Sequence, residues 1–282
     1  MADQVYSQIT HLLLQSIRTA LQAGEAIMKI YRSGSFRVRS KKDNSPLTEA
    51  DEAAHHIICK GLEITGIPVL SEEGKNIDYE KRKNWNELWL VDPLDGTKEF
   101  LKGDRDFTVN IALIYKNLPV SGVVYAPARN IMYFATENLG SCRFRTVGPE
   151  KFEHSDINAI LSRSFRLPVR IRRSNKTKVT VSRSHLNAET RSFIQSIKSQ
   201  SGDLDIMYRG SALKFCLVAE GTADIYPRLG PTSEWDTAAG HAVAVYSGCS
   251  VVGHPPGMSL CYNKPVLVNP WFIVRRAGLK IS

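Results

Sequence analysis

Leu88-Trp89-Leu90-Val91-Asp92-Pro93-Leu94-Asp95-Gly96-Thr97 is the stretch that decides the reading. An apolar strand runs straight into two carboxylates separated by Pro93 and Leu94, and a strand end holds the loop after it rigidly. Two acids this close repel each other, while the proline removes a backbone donor between them and the glycine permits an unusual turn. A divalent cation offsets that repulsion. Hard ions such as magnesium take several oxygen ligands, and this loop offers carboxylates together with a main-chain carbonyl such as that of Leu94. An Asx turn with solvated acids accounts for the same residues, so the stretch by itself supports either reading.

Further acids follow the same logic. Glu72 and Glu73 come directly after apolar Val69-Leu70-Ser71, a second acidic pair at a strand end that also fits a solvent-facing loop. Asp51 with Thr48 fits a helix capping box, and a carboxylate in a first helical turn is also placed to orient a water. Asp236, in Thr232-Ser233-Glu234-Trp235-Asp236-Thr237-Ala238-Ala239-Gly240, reads as a helix N-cap or as a cation ligand beside amides that face an anion. Trp235 reads as core. Hydroxyl and basic groups gather at element boundaries in Ser182-Arg183-Ser184-His185, Gly210-Ser211-Ala212-Leu213-Lys214 and Tyr226-Pro227-Arg228. His185 reads either as a hydrogen-bonded structural histidine or as a substrate contact, and Lys214 and Arg228 as surface charges or anion ligands.

Outward from these segments, Val5, Ile9, Leu12, Leu13, Ile17, Leu21, Ile27, Met28 and Tyr31 form the stripe of a long helix stopping at Gly34, and a second helix is predicted over 48–62. Short apolar runs at 67–70, 88–91, 107–115, 120–125 and 131–135 predict a mostly antiparallel sheet, with Asn117 to Pro119 as the turn between the third and fourth. The second half predicts a strand at 179–182, helices at 188–199 and 212–220, a strand at 223–226, a helix opening at Asp236, and short strands near Val251 and Leu267. Elements in blocks argue for stacked layers of the α+β class rather than a parallel doubly wound sheet.

The chain has 282 residues, a length between one large domain and two ordinary ones. Two lobes, 1–148 and 149–282, are expected to share one site. With 43% hydrophobic and 23% charged residues and no long apolar run or basic leader, the reading is a folded cytoplasmic protein, not a disordered or membrane-spanning one. Peripheral contact with the inner membrane is left open. Cys59, Cys142, Cys216, Cys249 and Cys261 are scattered singly and read as buried thiols. A net charge of +9 suits nucleic acid or a small polyanion. Much of it lies between Arg163 and Lys178, which reads as a solvated basic loop, with a nucleic-acid or acidic-lipid contact as the alternative.

The acidic pair, the DPLDGT segment at 92–97 and the WDTAAG segment at 235–240, in this order, resemble the inositol monophosphatase superfamily of magnesium-dependent, lithium-sensitive phosphatases. Within it the wording is most similar to the bisphosphate nucleotidases: Asp43-Asn44-Ser45-Pro46, Leu70 to Glu73, Lys98-Glu99-Phe100, Ser182 to His185, and Leu213-Lys214-Phe215-Cys216. The resemblance implies a layered αβαβα sandwich in which Glu72, Asp92, Asp95, Asp236 and the Leu94 carbonyl bind two or three magnesium ions. It also implies that Asp51 and Thr97, with Glu72, activate the attacking water. The amides around Gly96 and Thr97 would receive the phosphate, with Asp236 beside it, while His185, Ser211, Lys214 and Arg228 would hold the nucleotide. The implied reaction is hydrolysis of the 3'-phosphate of 3'-phosphoadenosine 5'-phosphate to AMP in sulfur and nucleotide metabolism, with the 5'-phosphosulfate as a further substrate. No cysteine or serine nucleophile motif calls for a phosphoenzyme. The partner is thus a small phosphorylated metabolite, not nucleic acid, and an inositol or sugar phosphatase is the alternative. Glu234 and the length of the 163–178 insertion depart from the pattern.

Overall fold

The computed structural model describes residues 2–40, 46–146, 156–169, 176–184, 186–256 and 258–279. Helices α1 (Ala2–Ser33) and α2 (Glu49–Glu63) flank a two-stranded ribbon of β1 (Val38–Ser40) and β2 (Pro46–Thr48). Next come β3 (Val69–Ser71), α3 (Tyr79–Arg82), β4 (Glu87–Asp95), α4 (Thr97–Leu101), β5 (Thr108–Tyr115), β6 (Leu118–Ala126), β7 (Ile131–Thr136), β8 (Gly140–Arg145), α5 (Ile157–Leu161) and β9 (Ser164–Arg166). Strands β3 to β9 form a seven-stranded sheet in chain order, antiparallel except for the parallel pair β3–β4. The remaining chain supplies β10 (Thr177–Ser182), α6 (Ala188–Ser201), β11 (Leu204–Arg209), α7 (Leu213–Ala219), β12 (Ile225–Arg228), α8 (Ala238–Val245), β13 (Ser250–Gly253) and β14 (Phe272–Arg275). Its five strands order as β11-β10-β12-β14-β13, a mixed sheet.

Both faces of the larger sheet are covered, which is why its strands read as near-continuous apolar runs. Trp89 and Val91 point to a core shared with α1 and α2, while Leu88 and Leu90 point to one shared with α7 and α8. The same alternation sends Val109, Ile111 and Leu113 one way and Ala112 and Ile114 the other. Phe215 and Ala244 carry the packing on to Tyr226, Phe272 and Val274 of the smaller sheet, whose other face is covered by Ile194 and Ile197 of α6. The order of layers is therefore helix, sheet, helix, sheet, helix, the expected αβαβα sandwich.

Several boundaries differ from expectation for local reasons. The hairpin between β5 and β6 turns at Lys116 and Asn117, with φ of 47° and 66°, so Pro119 already belongs to β6. Two left-handed residues match the twist of the flanking strands better than a turn through the proline. The last helix opens at Ala238 behind Thr237, not at Asp236. Near Leu267 there is only a bridge between Ser233 and Val268, and the strand is β14 instead. All five cysteines are free, but Cys59 and Cys261 are only half-buried. No helix among the described residues is long and apolar enough to cross a membrane.

Candidate active site

Parallel pairing of β3 with β4 sets Ser71 against Val91, so Glu72, just past the end of β3, comes beside Asp92, which is still paired with Asn110 in β4, and the Glu72 amide donates to the Val91 carbonyl. The Asp92 carboxylate accepts from the Leu94 amide at 3.0 Å, so the Asx turn exists. It does not exclude the cation reading, because Glu72, Asp92 and Asp236 offer oxygens all within 4.8 Å of one another. Asp236 comes from the turn before α8, where it accepts from the Ser233 amide at 2.9 Å. Asp95 follows a break in the β4–β5 register and accepts from Asn110 at 3.3 Å.

Burial and the neighbouring acids raise the pKa of Asp92, Asp95 and Asp236. Burial pushes Asp92 well above the carboxylate range, and Glu72, Asp95, Asp236 and Asp51 add to it. Burial, then Asp95 and Glu72, lift Asp236 to about 8. Asp95 stands at about 6, lifted by burial and held down by Lys214, Asn110 and the Ala212 amide. Beside this cluster, Asp51 completes the expected capping box, accepting from the Thr48 amide at 2.7 Å and the Thr48 hydroxyl at 2.5 Å. The Thr97 hydroxyl reaches its other oxygen at 3.3 Å and the Leu94 carbonyl at 3.2 Å. Gly96, at φ 89°, turns the chain between them in a conformation that suits glycine.

A cleft of about 690 Å³ separates this acidic wall from Ser182, Ser184, Ser211, Lys214, Tyr226 and Arg228. Lys214 is no surface charge. It is 5% exposed, donates to the Ser211 carbonyl at 2.5 Å and lies over the Tyr226 ring. Burial lowers its pKa to about 8 against the pull of Asp95. Arg228 donates to the Pro231 carbonyl at 2.6 Å. The buried Ser211 hydroxyl and Arg228 Nε have no hydrogen-bond partner among the described residues. His185 lies outside the described residues, as do Asp43 to Ser45 and the middle of the basic segment, 170–175. Lys176 and Lys178 at its end face Asp203 and Asp205 at 3.6 and 3.9 Å. Trp235 is half-buried against the core, as expected.

The match to the inositol monophosphatase family model spans residues 8–271. The chain belongs to that family. It is 46% identical over 267 residues to the 3'(2'),5'-bisphosphate nucleotidase CysQ of Shigella flexneri, covering 93% of this chain and 99% of the relative. Identity to CysQ of Haemophilus influenzae is 34% over 268 residues, covering 94% and 92%. Among solved structures, CysQ from Bacteroides thetaiotaomicron, a bacterial member of the inositol monophosphatase family, superimposes with a TM-score of 0.86 at 45% identity, covering 95% and 97%. The suhB protein of Bartonella henselae shares the fold, with a TM-score of 0.72 at 23% identity over 95% and 94%.

Members of the inositol monophosphatase family are metal-dependent phosphatases, and this donor set fits such an ion. It consists of oxygen atoms only, and half-buried Glu72 and Asp236 crowd buried Asp92 at a cost to its charged form. The sequence reading missed Asn110, which steadies Asp95, and Glu99, which lines the cleft and accepts from Ser184 at 2.6 Å. The Lys98-Glu99-Phe100 wording pointed at the latter without giving it a role. Glu234 is fully buried and accepts from the Asn263 and Lys264 amides and the Lys264 ammonium, so this departure from the motif is a structural pair outside the acidic cluster.

Proposed function

We propose that the chain is a magnesium-dependent 3'(2'),5'-bisphosphate nucleotidase that hydrolyses the 3'-phosphate of 3'-phosphoadenosine 5'-phosphate, giving AMP and inorganic phosphate. The two-sided cleft carries the reading. Clustered carboxylates on one wall suit a cation and a reacting phosphate, while buried Lys214 and half-buried Arg228 on the other suit a second phosphate that an inositol monophosphate lacks. CysQ relatives at 43 to 46% identity, matched along nearly their whole length, support the same substrate class.

Glu72, Asp92, Asp95, Asp236 and the Leu94 carbonyl would hold two or three magnesium ions. When bound, magnesium lowers the pKa of a water and offsets charge on the phosphoryl oxygens. The chain's own groups do the rest. Thr48 holds one oxygen of Asp51, which keeps the other turned to Thr97, and the Thr97 hydroxyl passes a proton from the attacking water to it. Glu72 flanks that water. The water oxygen joins phosphorus as the bond to the ribose oxygen breaks, that oxygen takes a proton from solvent water to become the 3'-hydroxyl, and no side chain is phosphorylated. The amides at Gly96 and Thr97 and the Asp236 side of the cleft receive the transferred group, while Ser211, Lys214, Arg228 and His185 grip the nucleotide. The lobe of 1–148 thus supplies most of the metal ligands, and that of 149–282 supplies Asp236 and the substrate contacts. We place the enzyme in the cytoplasm, in sulfur assimilation and nucleotide recycling.

Lys214→Ala tests the reading. Its kcat/KM for 3'-phosphoadenosine 5'-phosphate should fall about a hundredfold, from loss of a charged hydrogen bond, with a far smaller fall for adenosine 3'-monophosphate. Equal losses on both substrates count against a second-phosphate site.

A further inference from the structure

We infer that Glu99 and Asp106 are positioning residues, which fasten the substrate-binding loops to the Gly96–Thr97 loop and so set the spacing between the two phosphate subsites. The inference rests on the nucleotidase reading above. Both acids lie in the segment that leads from the acidic loop into β5, and both are buried. Across the cleft, Glu99 accepts from the Ser184 hydroxyl at 2.6 Å. Asp106 accepts from Arg129 Nε at 2.7 Å, from the Gly210 amide at 3.4 Å and from Arg183 Nη2 at 3.5 Å. Arg183 also pairs with Asp104. The loops at 182–184 and 210–211, which belong to the smaller sheet's side, therefore hang on the same few residues that follow the metal-side loop.

The approach is close enough to fix a distance. A Cβ on Gly210 would stand 2.6 Å from the Asp106 carbonyl oxygen and 2.9 Å from Glu99 Cγ, and one on Gly96 would stand 3.1 Å from that same carbonyl. The Asp106 backbone is thus wedged between a glycine on the reacting-phosphate side and a glycine on the second-phosphate side. Lys214, four residues beyond Gly210, lies in the fields of Glu99 and Asp106 as well as of Asp95. A bisphosphate bridges both sides and must match the gap, since small misplacements cost binding and orientation steeply. A monophosphate held on the metal side alone does not sense it.

The test compares Glu99→Gln, Ser184→Ala and Asp106→Asn with the unmutated enzyme on 3'-phosphoadenosine 5'-phosphate and on adenosine 3'-monophosphate. Magnesium titrations of activity and thermal melts run alongside. Ser184→Ala removes no charged group, only the hydroxyl that donates to Glu99, and keeps the test open should Asp106→Asn fail to fold. The expected result is a KM for the bisphosphate raised about tenfold, from loss of one charge-assisted hydrogen bond, while kcat, the monophosphate KM and the half-saturating magnesium concentration stay within about twofold. Equal losses on both substrates, or a shifted magnesium requirement, overturn the positioning role. If the unmutated enzyme itself shows no preference for the bisphosphate, the nucleotidase reading fails first and takes this inference with it, a result that the control alone identifies.

Discussion

Asp92 and Glu234 are both buried carboxylates near the cleft, yet one faces acids and the other faces donors. Around Asp92 stand Glu72, Asp95 and Asp236, and burial and mutual repulsion together drive its pKa up. Around Glu234 stand two backbone amides and the Lys264 ammonium, and Lys264 itself is tied further to the Cys261 carbonyl. Asp106, with Arg129 and Arg183, belongs to the Glu234 kind. A buried acid whose donors are already in place is part of the scaffold, whereas acids buried against one another hold a charge that only something from outside completes. The comparison separates ligand from strut among residues that look alike in the sequence.

The largest effect should come from the acid-facing set. Asp95→Asn should fold normally and lose two to three orders of magnitude in magnesium-dependent turnover, about 3 to 4 kcal/mol of transition-state stabilisation. Its metal-free thermal midpoint should stay level or rise, because one member of a repulsive cluster has become neutral. Undiminished turnover would remove Asp95 from the cation site. The donor-facing set should behave in the opposite sense. Glu234→Ala strands the Lys264 ammonium, which is about one-fifth exposed, and should lower unfolding stability by about 3 kcal/mol in urea titrations. A variant as stable as the parent would break the comparison.

A smaller effect is set by pH. Without a cation, Asp95 and Asp236 carry pKa values of about 6 and about 8, against an ordinary 3.8. In the unfolded chain both release protons near the ordinary value, so between about pH 4 and pH 8 the folded state binds more protons, and these acids make stability fall as pH rises. The same protons compete with magnesium, so half-saturation should need more of the ion as pH drops below about 8. Melts in chelator should show a midpoint lower at pH 8 than at pH 5, by a few degrees on the order of 1 kcal/mol, with magnesium restoring most of it at pH 8. A midpoint that magnesium leaves unmoved at pH 8 would speak against metal binding by these acids.

The acidic loop was legible because its chemistry is local: strand, acid, proline, acid and glycine lie within ten residues. The two-sided burial of β4 and β5 was legible for a similar reason, as unbroken apolar runs. What escaped depends on distant partners. Strand β8 alternates with Arg143 and Arg145, and β11 interleaves Asp205 on an exposed edge, so neither shows a clean apolar pattern. Lys214 looked like a surface charge because nothing in its own helix reveals that Tyr226 and Asp95 enclose it. Glu99 and Ser184 meet across 85 residues of chain, and Glu234 needs Lys264, 30 residues on. Local periodicity carries no trace of either contact.

Phosphate release from 3'-phosphoadenosine 5'-phosphate and from inositol 1-phosphate, measured side by side in magnesium, in magnesium with lithium and in chelator, tests the central claim most directly. The account predicts strong preference for the nucleotide, inhibition by lithium and no release in chelator. Preference for inositol 1-phosphate, or release that persists in chelator, would contradict it.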